Sequence, residues 1–264
     1  MCQRQAAIIT LALVLPLPAC SEEASSPSPD ATRLQEAPPV SPLEQPSEEL
    51  GIVILEDDFS DPNSGWPEGT PPDPQAQGAE VGYEDGGFLM EAPQGAKIAH
   101  LLPFPGRESA NHVILEVEAI HTGEHAIYGL FCKGDQRLAN AYLFTLDSTG
   151  TWAVARLSDG TGLEVLGRGT DPAIEPGAAI NHFRADCFDR RPLPNPVAEL
   201  RLFINDVLLF EGQDRPGLSG RAQSVPGFYF ETDFEGGASV LFDNLVFWGV
   251  RDPSDVPVAR VVSS

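Results

Sequence analysis

Ile52-Val-Ile-Leu-Glu-Asp-Asp-Phe-Ser-Asp-Pro-Asn-Ser-Gly-Trp-Pro67 joins a β-branched apolar run to a dense turn sequence and then anchors on Trp66. A run of this kind followed by Ser60, Asp61, Pro62, Asn63, Ser64 and Gly65 is a strand entering a structured loop. Before this stretch nothing has the pattern of a packed element. After it nearly every apolar run is short, alternating and bounded by turn residues. The stretch is therefore the first strand of one large β domain.

The runs that follow support that assignment. Gly87–Glu91, Lys97–Leu102, Val113–Ile120 and Ala126–Cys132 read as strands. In the third, Glu116 and Glu118 alternate with Leu115, Val117 and Ala119, the period of a half-buried strand. Leu138–Asp147 and Thr151–Leu157 flank Ser148-Thr-Gly150, a hairpin signal. Gly162–Gly167, Ile180–Phe188, Ala198–Ile204 and Val207–Phe210 follow, with the tight turn Asn205-Asp206 between the last two. Gly227–Glu231 and Ser239–Trp248 close the set. Glu68–Gly82, rich in Pro, Gly and Gln, reads as a long irregular loop. About a dozen strands and no surviving helical period predict an all-β, two-sheet antiparallel jelly-roll sandwich.

The chain has 264 residues, 25 Pro, 25 Gly and a net charge of −23. That charge repels phosphates and anionic headgroups, so a nucleic-acid partner or a basic membrane-binding patch is not expected. Residues 1–19 combine a positive start at Arg4 with a short apolar core, Ala6–Leu17, too short for a permanent span. The core ends in Leu17-Pro-Ala-Cys20, which resembles the lipobox of bacterial lipoproteins. The resemblance implies cleavage before Cys20, diacylglyceryl transfer to its thiol, and attachment to a lipid bilayer outside the cytoplasm. An ordinary cleaved secretory signal is the alternative. Residues 20–50 then form a tether: Ser21–Leu50 holds six prolines, seven acidic residues, one Arg33 and no aromatic. Such a segment cannot offset its ordering entropy by burial. In a polyproline-like state, thirty residues reach up to roughly 90 Å. Residues 51–250 make the sandwich domain, and 251–264 a polar tail.

Three segments in order carry a second resemblance. They are Glu56-Asp-Asp-Phe-Ser-Asp61 with Ser64-Gly-Trp66; Tyr128-Gly-Leu-Phe-Cys132 followed by Phe183-Arg-Ala-Asp-Cys187; and Val240-Leu-Phe-Asp-Asn-Leu-Val-Phe247. Together they are similar to the concanavalin A-like lectin/glucanase sandwich, closest to laminin-G-like and keto-disaccharide-hydrolase-like domains. This superfold hosts binding modules and glycosidases alike.

Several residue sets compete for a functional role. Cys132 and Cys187 remain after processing, and an oxidising compartment favours their pairing over two buried thiols. Glu231-Thr-Asp-Phe-Glu235 resembles the ExDxE signature of laminarinase-like glycosidases, which would make Glu231 a nucleophile and Glu235 an acid/base; a solvated acidic turn before Gly236-Gly237 is the simpler reading. Asp57, Asp58, Asp61 and Asp243 would meet if the first and last strands pair, and hard oxygen ligands suit a structural calcium ion. Local turn capping explains the same residues. No other cofactor is implied. His121-Thr-Gly-Glu-His125 has the spacing of a helical metal pair, but Gly123 makes it a hairpin. Tyr128, Tyr142, Trp152 and Tyr229 could line a sugar-binding face or fill the core. These readings favour a membrane-anchored, non-catalytic module that binds glycan or another surface ligand. A glycan-active hydrolase and a structural or protein-interaction domain are the alternatives.

Overall fold

A computed structural model describes residues 51–71, 74–76, 78–103, 112–123, 125–134, 138–159, 162–191, 197–218, 225–233 and 236–250. Cys20, the expected lipidation site, the expected tether and the residues from 251 lie outside these residues. Fourteen strands run in chain order: β1 (Ile52–Asp57), β2 (Glu80–Glu84), β3 (Gly87–Ala92), β4 (Lys97–Leu101), β5 (His112–Gly123), β6 (Ala126–Gly134), β7 (Ala141–Asp147), β8 (Thr151–Ser158), β9 (Gly162–Thr170), β10 (Ile180–Arg191), β11 (Val197–Ile204), β12 (Val207–Asp214), β13 (Val225–Thr232) and β14 (Ala238–Gly249). A short 3₁₀ turn, Pro74–Ala76, is the one described helical element.

All pairings are antiparallel. One sheet has the order β12-β11-β10-β5-β14-β3-β2, with β1 added to β14. The other has the order β4-β13-β6-β7-β8-β9. The two-sheet sandwich is thus the observed fold, and its first and last strands do pair, from Ile52↔Gly249 to Asp57↔Leu245. The expected loop over Glu68–Gly82 differs from the structure at its end, where Glu80–Glu84 forms β2 against β3. Only five residues long and interrupted by Gly82, β2 has too little alternation to stand out from a Pro/Gly-rich context.

Alternation decides which side chains meet between the sheets. Leu115, Val117 and Ala119 of β5 are fully buried there with Phe183, Phe228, Phe242 and Phe247. Trp66 closes the mouth of this core. Its ring stacks on Phe228 at 5.3 Å and meets Phe59 edge-on at 5.2 Å. Its Nε1 donates to Asp57 Oδ2 at 2.7 Å, so the indole N–H is satisfied where it is buried. The opening stretch therefore supplies both an edge strand and a plug. Gly129 on β6 is needed where it stands: at φ 152° a Cβ would fall 2.1 Å from the Phe144 carbonyl oxygen.

A disulfide joins Cys132 of β6 to Cys187 of β10, tying one sheet to the other. Beside it, Lys133 Nζ lies 2.5 Å from Asp189 Oδ1, a second link between the same strands.

Candidate functional site

The register fixes the two ends of the sandwich. At one end Ile52, Gly249 and Val113 lie side by side. At the other, Ala238 pairs with Gly123 and Ala92, and Thr232 with Ala126. With twelve residues, β14 spans about 40 Å between them. The chain enters the domain at the first end. Three open clefts gather at the second, where the turns after β3, β5, β7 and β13 meet.

The cleft nearest Glu231 has a volume of about 240 Å³ and is lined by His125, Ile127, Asp147, Ser148, Glu231 and Asp233 among others. A neighbour of about 370 Å³ shares His125 and Ser148 with it. A third, of about 480 Å³, shares Thr122 and Gly123 with the second. The three therefore adjoin one another around the end of the sandwich.

Local sequence explains each lining group. Strand alternation on β13 sends Phe228 and Phe230 into the core and Tyr229 and Glu231 to the opposite face. The Tyr229 hydroxyl donates to Glu231 Oε2. Lys97 Nζ approaches the same oxygen to 3.9 Å and lies 5.2 Å from the Tyr229 ring centre. Burial and the adjacent Glu231 carboxylate push the Tyr229 phenol well above its ordinary range. Ile127 is the cross-strand neighbour of Glu231 and is 40% exposed, an apolar floor among polar walls. At the β7–β8 turn, Asp147 Oδ1 accepts from the Thr149 amide, the Thr149 hydroxyl and the Thr151 amide. Burial would raise the Asp147 carboxyl, but these donors outweigh it and hold it below the ordinary value. Ser148 Oγ lies 3.2 Å from His125 Nδ1.

The structure separates residues that alternation alone left together. Three of the four proposed sugar-platform aromatics face the core. Tyr128 stacks on His121 at 5.4 Å and meets Phe183 edge-on. Tyr142 is fully buried; its hydroxyl donates to Asp214 Oδ2 at 2.7 Å and accepts from the Leu218 amide. Trp152 is half-buried against Phe210 and the inner core. Tyr229 alone is on the other face of its sheet, and it is covered. These rings do not make one exposed platform. They are large apolar groups on strands whose registers, Tyr128↔Leu146↔Trp152 and Tyr142↔Arg156, place them between the sheets.

The acidic sets also divide. Glu231 lines the cleft, while Glu235 lies outside the described residues. Asp57 and Asp243 sit on paired strands, but their oxygens serve local structure. Asp57 bonds the Phe59 amide and Trp66 Nε1, Asp58 the Ser60 amide and hydroxyl, Asp61 the Asn63 amide, and Asp243 the Asn244 amide. Among the described residues no group of three or more His, Cys, Asp or Glu side chains is placed to hold a metal ion. These contacts are the ones the turn-capping reading expects of the four positions. The His121/His125 pair is split as the hairpin requires, His121 facing inward and His125 outward. Sequence reasoning missed His125, Asp147, Ser148 and Lys97 as one constellation. The signal was present only as turn chemistry, which located the loops but not their convergence.

No family model matches the chain, and no curated protein matches it. Solved structures do. A Bacillus subtilis protein of unknown function with a galectin-like fold aligns at TM-score 0.53 and 13% identity, over 77% of this chain and 99% of that one. The GH43 BlXynB protein from Bacillus licheniformis aligns at TM-score 0.50 and 12% identity, over 74% of this chain and 39% of that one. Carbohydrate binding module CBM66 from Bacillus subtilis aligns at TM-score 0.41 and 15% identity, over 70% and 95%. The first two likenesses establish a galectin-like sandwich fold.

Proposed function

We propose that the chain is a tethered extracytoplasmic module that binds glycan, without catalysis, in the clefts at the end of the sandwich remote from residue 52. One observation carries this reading: carboxylates, hydroxyls and an imidazole from the β5–β6 turn, the β7–β8 turn and the end of β13 line adjoining open clefts, one of them around an exposed Ile127. Sugars present alternating hydroxyls and C–H faces, and a shallow site with many acceptors and a small apolar floor complements both. Recognition in this reading runs through hydrogen bonds to Glu231, Asp147, Asp233 and His125 rather than through aromatic stacking. Anchoring through acylated Cys20 belongs to the same proposal and rests on the Leu17–Cys20 motif.

The test is a glycan array followed by calorimetry on the hits, with wild type and Glu231→Gln. Saturable binding that falls about tenfold in the variant is expected, for a lost charge-assisted hydrogen bond. Wild type should release no sugar from the bound glycan. An empty array overturns the reading. Sugar release that disappears in Glu231→Gln would replace it with the hydrolase alternative.

A further inference from the structure

The outward face of the larger sheet carries a feature that the clefts do not use. Its registers place Gly82, Leu89, Leu241, Ile120 and Ile180 in one row across β2, β3, β14, β5 and β10. The alternate residues Phe88, Val240, Phe242 and Ala119 fill the core, so this row points away from it. Leu89, Leu241 and Ile120 are half-buried and Ile180 is 53% exposed. At the inter-strand spacing the row is about 19 Å long. It crosses the strands, so no single strand's pattern displays it.

Acidic rows border this stripe on both sides. On one side Glu80 and Glu91 face each other across β2 and β3, and both are exposed. On the other, Asp243 and Glu118 are paired across β14 and β5, with exposed Glu84 further along. Like charges directly opposite each other on a sheet are unfavourable without a counter-charge. His182, the cross-strand neighbour of Glu118, is the one basic side chain in these two rows among the described residues. The Asp243 carboxyl is pushed up by burial and by the nearby Glu118 and Asp58 carboxylates, which reflects the local excess of negative charge.

We infer that this stripe is a docking surface for a protein segment that presents an apolar row flanked by Lys or Arg. Charge complementarity selects that partner. A membrane surface is disfavoured because the acidic rims repel anionic headgroups. A second copy of the chain would bring acidic rims against acidic rims. An extended basic-apolar segment buries the leucines and isoleucines and supplies the missing cations to both borders. Glu80 and Glu91 also line the third cleft, but the stripe itself and its other rim are distinct from the Glu231, Asp147, Asp233 and His125 groups assigned to glycan binding.

The test titrates the full chain with short synthetic peptides of alternating Lys-Leu, Lys-Ser and Glu-Leu, read by fluorescence anisotropy. The Lys-Leu peptide should bind saturably, and more weakly as salt is added. Ile180→Lys should weaken that binding about tenfold, as removal of an interface anchor does, and Glu91→Lys should weaken it too. Both positions are exposed, so the thermal midpoint should stay at the wild-type value. Equal binding of the Lys-Ser peptide would overturn the inference, as would undiminished affinity in Ile180→Lys. Binding to anionic lipid vesicles, or a dimer in sedimentation that Ile180→Lys dissociates, would assign the stripe to a different occupant and also overturn it.

Discussion

His100 shows how one side chain can set the acid limit of the domain. It lies on β4 between Trp66, stacked at 5.8 Å, and Phe88 at 4.9 Å. Among the described residues its Nε2 has no hydrogen-bond partner. Burial lowers its pKa from 6.5 to about 4. The unfolded chain takes up a proton near pH 6.5 while the folded chain resists until about 4, so stability is lost as pH falls through that window. The full effect is about 3 kcal/mol. Glu116 acts in the opposite sense. Burial, against the pull of Arg184, raises its carboxyl from 4.5 to about 7, so its contribution is present below 4.5 and is lost as pH rises through 7. Urea midpoints at pH 7 and pH 4.5 for His100→Leu and Glu116→Gln should separate the two: the first variant loses less stability on acidification than wild type, the second more. An unchanged pH slope in His100→Leu would mean that the imidazole is hydrated in solution. Neither role was legible in the sequence. Alternation marks Glu116 as outward, and nothing local reveals that its outward face is crowded by His182, Arg184 and Asp186 from β10.

At the scale of strands the sequence is more informative, because a strand's period is written in its own residues. The hairpin turns at Ser148–Gly150 and Asn205–Asp206 were legible for the same reason; both Asn205 and Asp206 adopt positive φ, as such turns require. Face identity was not legible. Period two states that Tyr128 and Tyr142 oppose their neighbours, but only the partner sheet states which side is dry. The cysteines bridge that gap, since a disulfide between strands of different sheets demands that both point inward. Cys132 and Cys187 are separated by 55 positions, and the chain-entropy model assigns such a loop about 4 kcal/mol. The double variant Cys132→Ala/Cys187→Ala should therefore lower unfolding stability by about 2–4 kcal/mol, with Lys133–Asp189 left as the adjacent link. Urea unfolding with and without reductant checks this. Reductant should destabilise wild type and leave the double variant unchanged; a double variant as stable as wild type would show that the sheets hold together without the bond.

The sandwich has a direction. Residue 52 enters beside Gly249, and the clefts open at the other end of β14, about 40 Å away. The apolar stripe crosses an outward sheet face while the clefts occupy an end, and the two adjoin at Glu80 and Glu91, which border the stripe and line the third cleft. If Cys20 carries the acyl chains, Cys20→Ala should move the protein from the membrane fraction to the soluble fraction, because the chains that would give stable anchoring lose their point of attachment. The variant should bind a free oligosaccharide hit with wild-type affinity, since Cys20 precedes the folded domain by about thirty tether residues. Shortening the tether at intact Cys20 should leave that solution affinity unchanged and reduce capture of the same glycan when it is immobilised on beads presented to whole cells. Capture that is insensitive to tether length would mean that reach is not what the stretch supplies. A membrane fraction unchanged by Cys20→Ala would remove lipid from the proposal and leave the clefts to be judged on glycan binding alone.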